Sequence, residues 1–413
     1  MSEKTRKILK GIAEALLGIA IVAVVMSFFP AVIFTLFISR HPLFHLIILV
    51  CYTVLILALL IGFIRNSMKK KSYRRTVLAG FAAVTAVFVS FSAYQLYHES
   101  IPTLSENDNL LMDYAPYGEG TKAVSLSEES TLKITEDFPV MDGATALYPV
   151  YASFSKAIYP KEILENITET TVEGNVTTVR WNKNDYLDCS TTTYAYQKIV
   201  NGEADIIFAA LPSDEQLNYA EENGVELVFT PIGKEAFVFF VNAKNPINDI
   251  SLEDIQKIYS GELSEWSELG IKGLGDIRAF QRDAGSGSQS TLEKLMSGKK
   301  LMTPPAENVV SGMGGIISKT ANYRNYKNAI GYSFRFYTNE MVANDDIKVL
   351  SVNGVYPDIG TIEDGSYPLA SYFYAVTRSD ADENTLKILE WVQGEQAQEI
   401  VKLVGYTPLE NAD

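Results

Sequence analysis

Residues 280–296, FQRDAGSGSQSTLEKLM, set one arginine, two glycines and a run of hydroxyl side chains at the start of an apolar helical period. A helix beginning here leaves its first N–H groups without intrahelical acceptors, and its dipole adds partial positive charge at the same end. Gly285 and Gly287 allow close approach to the backbone, Ser286 and Ser288 supply hydroxyls, and the planar fork of Arg282 matches a tetrahedral oxyanion. Two readings stand, an anion site and an ordinary capped helix after a Gly-Ser loop, and taken alone the stretch favours the plainer one. A Walker-type phosphate loop is excluded because no Gly-Lys-Ser/Thr follows.

Two further segments share the design. In MDGATALYPVY (141–151), Gly143, Ala144 and Thr145 follow a strand-like end, and Pro149 is acceptable in a first helical turn. In CSTTTYAYQ (189–197), Ser190, Thr191, Thr192 and Thr193 precede another helical pattern. Each is a sufficient N-cap by itself. Three hydroxyl-rich helix starts, distributed over the two lobes proposed below, fit convergence on a shared anion better than coincidence.

The charge balance divides the 413-residue chain in two. Residues 1–75 hold eleven Lys/Arg against Glu3 and Glu14, a net +9, so the overall −15 leaves −24 for residues 76–413. Apolar runs at 11–38, 43–64 and 76–96 each approach the ~20 residues that cross a bilayer as helix, with Pro30 expected to kink the first. A cleavable leader is the competing reading of the first run, but two further runs follow it and no small-x-small cleavage site precedes a soluble stretch. Lys4, Arg6, Lys7 and Lys10 precede run one, and Arg65, Lys69, Lys70, Lys71, Arg74 and Arg75 lie between runs two and three, whereas the other connector has only Arg40 and His41. Basic clusters stay cytoplasmic, which places the N-terminus inside and everything after about residue 98 outside the cell membrane.

The acidic part is poor in the residues of catalysis. The three histidines are His41, His45 and His98, so no imidazole base, Ser-His-Asp triad or histidine-based metal site is available beyond residue 98. Cys51 falls in the second apolar run and Cys189 stands alone after it, which excludes a disulfide within the acidic part. These absences argue against a hydrolase and against a bound metal or cofactor. The charge argues against nucleic-acid partners, which want a basic surface.

Residues 99–130 are polar and acidic and read as a linker with limited structure. From 131 onward strand-like and helix-like runs alternate, the pattern of an α/β fold with largely parallel sheets. EAFVFFVNAKNPI (235–247) reads as a long strand leaving one lobe and NAIGYSFRFY (328–337) as the return. The division is then 131–239 plus 336–413 as one lobe and 240–335 as the other, with a hinge and a cleft. FVFF and YFYAV read as buried strands, and Trp266 and Trp391 as packing residues. The glycine-rich GMGGII (312–317) has no nucleotide fingerprint, and Lys319 beyond it is either near the ligand or, the plainer reading, in solvent.

In this order DGATALYPVYASF, ADIIFAALPSDEQ, FQRDAGSGSQSTLEKL, AIGYSFRFY and ILEWVQGEQAQEIVKLVGYTPL resemble the PstS family of phosphate-binding proteins of bacterial ABC importers, over about 131–413. The resemblance implies a two-lobed type II periplasmic-binding-protein fold, here preceded by three transmembrane helices. It implies ligand contacts from Thr145 and the Ala146 N–H in the first turn, and from Thr192, with Thr191 as the register alternative, in the second. In the third it implies Arg282, Ser286, Gly287 and Ser288. Two departures stand out: Ala210 and Ala284 occupy positions where the family usually carries carboxylates. Asp142 and Asp283 are substitute acceptors for a protonated ion, or else plain loop acids. Without an acceptor, rejection of sulfate is weakened. The expected role is capture of inorganic phosphate or a related oxyanion for an ABC permease. The alternatives are an oxyanion sensor or adaptor working through a partner signalling protein and, lacking a base or metal set, an ectoenzyme.

Overall fold

The computed structural model describes residues 3–38, 42–100, 103–104, 111–165, 168–173, 176–181, 184–305, 308–310, 323–324, 326–343 and 345–409. GMGGII, Lys319, Arg40, His41 and residues 105–110 of the expected linker lie outside them. The chain divides into two compact units, Met1–Ile101 and Pro102–Asp413.

The first unit is helical. Helices α1 (Glu3–Ile38), α2 (Pro42–Ile64) and α3 (Lys71–Ser100) contain apolar spans of 23, 23 and 27 residues, long enough to cross a membrane, in agreement with the three runs read from sequence. α1 continues through Pro30. The α2–α3 pair is tightly apposed. Phe44 stacks on Phe91 with ring centroids 3.7 Å apart, the Tyr73 hydroxyl donates to the Ala58 carbonyl at 2.7 Å, and a side chain at Gly80 would lie 2.7 Å from Leu55. Small residues and interhelical hydrogen bonds are the means by which helices pack where the surroundings are as apolar as they are.

The second unit is an α/β fold around one continuous sheet. In chain order its principal elements are β1 (Met141–Gly143), α4 (Tyr148–Ile158), α5 (Thr191–Asn201), β2 (Ile206–Ala209), α6 (Asp214–Glu222), β3 (Leu227–Asn242) and α7 (Leu252–Ser260). There follow β4 (Arg278–Ala279), β5 (Gln281–Arg282), α8 (Gly287–Met296), β6 (Val309–Val310), β7 (Ala329–Phe334), β8 (Ile347–Val349), β9 (Ala370–Arg378), α9 (Glu383–Gln393) and α10 (Glu395–Val404). The sheet order is β1-β2-β9-β3-β7-β4, and β8 also pairs with β3.

The long strand β3 ties the sheet together. Its first part, Leu227 to Ala236, pairs with β9, and from Phe237 onward its partner is β7, then β8 at the far end. Only the outer pairings β1–β2 and β7–β4 are parallel, while β2–β9, β9–β3, β3–β7 and β3–β8 are antiparallel. The largely parallel sheet expected from the alternation is therefore corrected at its centre. The cause is that β7, β8 and β9 each return along the strand that carried the chain out.

Burial divides this unit as the strand does. On β2, Ile206 and Phe208 join one apolar cluster while Ile207 and Ala209 join another, the period of two that puts successive side chains on opposite faces. Phe237, Val238, Phe239, Tyr259, Trp266 and Tyr332 form a third cluster around the second half of β3. Trp266 and Trp391 are buried, as expected of packing residues. The chain crosses between clusters more often than the two expected passages. After β7, Phe336 and Tyr337 pack in the first cluster, Leu350, Val352, Ile362 and Tyr367 pack in the third, and Phe373 returns to the first. Residues 347–369, assigned by sequence to the first lobe, thus contribute to the third cluster, because β8 pairs with the far end of β3.

Residues 111–130 also differ from a spacer. Tyr114, Ala115 and Ala123 are buried, and Leu111, Tyr117, Val124 and Leu126 pack against the first cluster. Their backbone is mostly irregular, which is why no helical or strand period announces the packing.

Candidate anion-binding site

Each of the three helix starts is held by a different local device. In the first turn, Thr145–Leu147 form a 3-10 turn leading into α4, with Pro149 in the first helical turn as its missing N–H allows. The Tyr406 hydroxyl donates to the Ala146 carbonyl and pins this turn. In the third, Ser286 is the N-cap of α8, its hydroxyl oxygen accepting the Gln289 N–H at 3.3 Å. Its hydroxyl proton stays available for a ligand.

The second turn is strained. Ser190 precedes α5 but does not cap it with its side chain, and Thr191 adopts φ +74°. Left-handed backbone at a β-branched residue is an outlier that persists only where the surroundings impose it. Here the constraint is Asp142. Its carboxylate, 0% exposed, accepts the Ser190 N–H at 2.7 Å, the Ser190 hydroxyl at 2.6 Å, the Gly143 N–H at 2.7 Å and the Lys198 ammonium at 2.6 Å. Lys198 also reaches Asp188 at 2.6 Å. Asp142 fastens the end of β1 to the start of α5.

The three turns open on a single cavity of about 280 Å³. Thr145, Ala146, Thr191, Thr192, Arg282, Ser286, Gly287 and Ser288 all line it, and Asp283 does so too. Asp142 does not line it, because its oxygens are already occupied by those four donors, and the acceptor reading of that residue is corrected accordingly. Ala144, Thr193, Tyr194, Ala284, Ser333, Phe334 and Tyr337 complete the wall. Among them, Ser333, Phe334 and Tyr337 lie in AIGYSFRFY, a stretch recognisable in sequence whose pattern gave no sign that it would face the cavity.

Arg282 is the centre of positive charge. Its backbone N–H donates to the Tyr332 hydroxyl at 2.9 Å and to Gln289 Oε1 at 3.1 Å, and Tyr332 in turn donates to Gln289. Its buried side-chain Nε has no hydrogen-bond partner among the described residues. Arg282 itself lines the cavity, so its guanidinium brings positive charge and planar N–H donors to that wall. Arg282 and Asp283 are the charged side chains among the described lining residues.

The turns touch across the cavity mouth. A Cβ at Gly287 would lie 3.0 Å from Thr192 Oγ1, and Gly285, at φ +79°, would bring one 3.2 Å from Thr193 Oγ1. Glycine at 285 is thus demanded both by backbone conformation and by the approach of α5. Cys189, beside Thr145, is an inert neighbour, since burial pushes its thiol up to about 12. Among the described residues no group of three or more His, Cys, Asp or Glu is placed to hold a metal ion.

Residues 141–395 match the PBP superfamily domain. The chain belongs to this superfamily. Among curated proteins the PBP region is similar to the phosphate-binding protein PstS of Bacillus subtilis, 28% identical over 195 residues, 46% of this chain and 61% of that protein. It is also similar to PstS of Borreliella burgdorferi, 27% identical over 216 residues, 50% of this chain and 75% of that one. Among solved structures it is similar to an ABC-type phosphate transport receptor from Vibrio cholerae, at 16% identity and a TM-score of 0.44, covering 65% of this chain and all of that one. The match to the Bacillus subtilis protein leaves more than a third of that relative's length uncovered.

Proposed function

We propose that this chain is a membrane-tethered binding protein that captures inorganic phosphate, or a related oxyanion, in the cleft and passes it to an ABC permease without chemical change. The observation that carries the reading is the convergence of Arg282 and three hydroxyl-rich turns on one cavity. The names of the relatives in Bacillus subtilis and Borreliella burgdorferi support phosphate as the ion. The ligand contacts are those of Thr145, Ala146, Thr191, Thr192, Arg282, Ser286, Gly287 and Ser288, with Asp283 the acid nearest the ion. The two lobes close on it about β3, and the basic flanks of the apolar helices orient the cleft outside the cell membrane.

Net −24 beyond residue 75 slows anion approach only within the ~8 Å over which physiological salt leaves charges unscreened, so capture depends on local donors. The test is thermal unfolding of the full chain in detergent. Phosphate at a hundredfold excess over Kd should add about 2.7 kcal/mol of stability. Arg282→Ala should remove that gain, and an unchanged melting temperature in phosphate, sulfate and other oxyanions would eliminate the reading.

Three apolar helices are more than an anchor needs, and this favours a second reading as a sensor or adaptor. Co-purification with permease and ATPase subunits supports import, and recovery with a signalling kinase alone supports sensing.

A further inference from the structure

Adjoining the main cavity is a smaller one of about 20 Å³, room for a single water. Ala144, Ala146, Thr192, Gly287 and Phe334 belong to the walls of both. The small cavity adds Ala210, one of the two positions where a carboxylate was missed in the sequence, and Glu235, a carboxylate no sequence argument singled out.

Glu235 stands on β3 at the point where the strand changes partners: Ala236 pairs with Ala370 and Phe237 with Phe334. It is 5% exposed, accepts the Ala236 N–H at 2.8 Å on one oxygen and the Phe336 N–H at 3.2 Å on the other. Two donors leave a carboxylate with unused lone pairs on both oxygens. The groups around it are Arg335 and Glu340 after β7, Tyr406 after α10 and Tyr372 on β9, while Lys234 turns to the Glu363 carbonyl at 3.2 Å. Arg335 reaches Glu340 at 3.8 Å and the Gly405 carbonyl at 3.5 Å. Burial pushes the Glu235 carboxyl up to about 7, against the pull of Arg335 and the two N–H groups. A carboxylate kept in such a place lowers stability when ionised, which marks it for a role beyond packing.

Resting on the oxyanion reading of the cleft, we propose that Glu235 sets its preference for a protonated ion. Through one water in the small cavity the carboxylate accepts from the Thr192 hydroxyl, which then turns a lone pair to the ligand and accepts the hydroxyl proton of hydrogen phosphate. The chain of donors runs from P–OH to Thr192, to water, to Glu235, and no bond other than hydrogen bonds changes. Sulfate has no proton to give near neutral pH and meets a lone pair instead. When Glu235 is protonated the chain reverses and Thr192 donates to the ligand.

The experiment is calorimetric titration of the full chain in detergent with inorganic phosphate and with sulfate from pH 6 to pH 8. Sulfate does not itself titrate in this range, so its affinity reports the protein. In the wild type sulfate binding should tighten as pH falls through about 7. In Glu235→Gln it should ignore pH, the phosphate preference at pH 8 should drop roughly tenfold, and Ala210→Asp added to that variant should restore it. The wild-type pH series stands even if the variant folds poorly. Wild-type sulfate affinity indifferent to pH, or a Glu235→Gln chain that keeps its phosphate preference, overturns the role of Glu235 and leaves the oxyanion reading intact. A wild type that binds neither ion overturns both.

Discussion

Gln216 Nε2 donates to the Gly285 carbonyl at 3.1 Å, a hydrogen bond that joins α6 to the loop before α8. The amide is held ready for this, because its Oε1 accepts the Ser213 N–H at 2.9 Å in the capping box of α6. Gln216→Glu keeps the capping acceptor and sets a carboxylate against the Gly285 carbonyl. Loss of this buried hydrogen bond should cost the ligand-free chain ~1–3 kcal/mol and lower its melting temperature, and with the loop before α8 released it should also weaken phosphate binding by up to about tenfold. Titration calorimetry checks it, and unchanged affinity would show that this bond does not stabilise the closed cleft.

The strain at Thr191 sets stability against binding. Its φ of +74° suits glycine, and a strained residue of this kind costs ~1–3 kcal/mol. Thr191→Gly should raise ligand-free stability by about 1 kcal/mol, roughly 2–4 °C in melting temperature, while loosening the second turn and weakening binding several-fold. A variant that gains stability and binds as tightly as the wild type would show that the strain has no part in recognition.

Asp142 is expected to act on stability first. Removing one partner of a buried ion pair leaves the other charge uncompensated, at a cost of ~3–5 kcal/mol, here reduced because Lys198 retains Asp188. Asp142→Asn should therefore destabilise the chain by roughly 3 kcal/mol. Denaturant unfolding measures this directly, and a shift under about 1 kcal/mol would mean that the four hydrogen bonds to its carboxylate are replaceable.

Glu235 predicts a pH profile for folding itself. Its native carboxyl titrates at about 7 against an ordinary 4.5, so between these values the native state binds more protons than the unfolded one and stability falls as pH rises. The contribution is fully present below 4.5 and lost above about 7, and amounts to about 3 kcal/mol for a shift of this size. Glu235→Gln should flatten this part of the ligand-free profile and raise the melting temperature more at pH 8 than at pH 5. Parallel wild-type and variant profiles would contradict the buried, proton-linked state.

Much of this molecule was readable one segment at a time. The three apolar runs announce themselves by length, and α1, α2 and α3 follow them. The helix starts at Thr145, Thr191 and Gly287 are also local, since capping, proline at the first turn and glycine before a helix act over three or four residues. The direction of the sheet was not readable, because β9 lies antiparallel to β3 across more than a hundred intervening residues. Nor was the packing of Tyr114 and Ala115, which no periodicity marks.

The sequence by itself determined the apolar spans, the charge division and the donor-rich chemistry of three turns, because each depends on side chains a few positions apart. Only the tertiary structure decided that those turns share one cavity, that Asp142 is consumed by Ser190 and Lys198, 48 and 56 residues away, and that Glu235 meets Phe336, 101 residues on. A carboxylate has the same letter whether it faces ligand, lysine or a hinge. Its role is set by which donors the folded chain brings within hydrogen-bond reach, and those lie far along the chain.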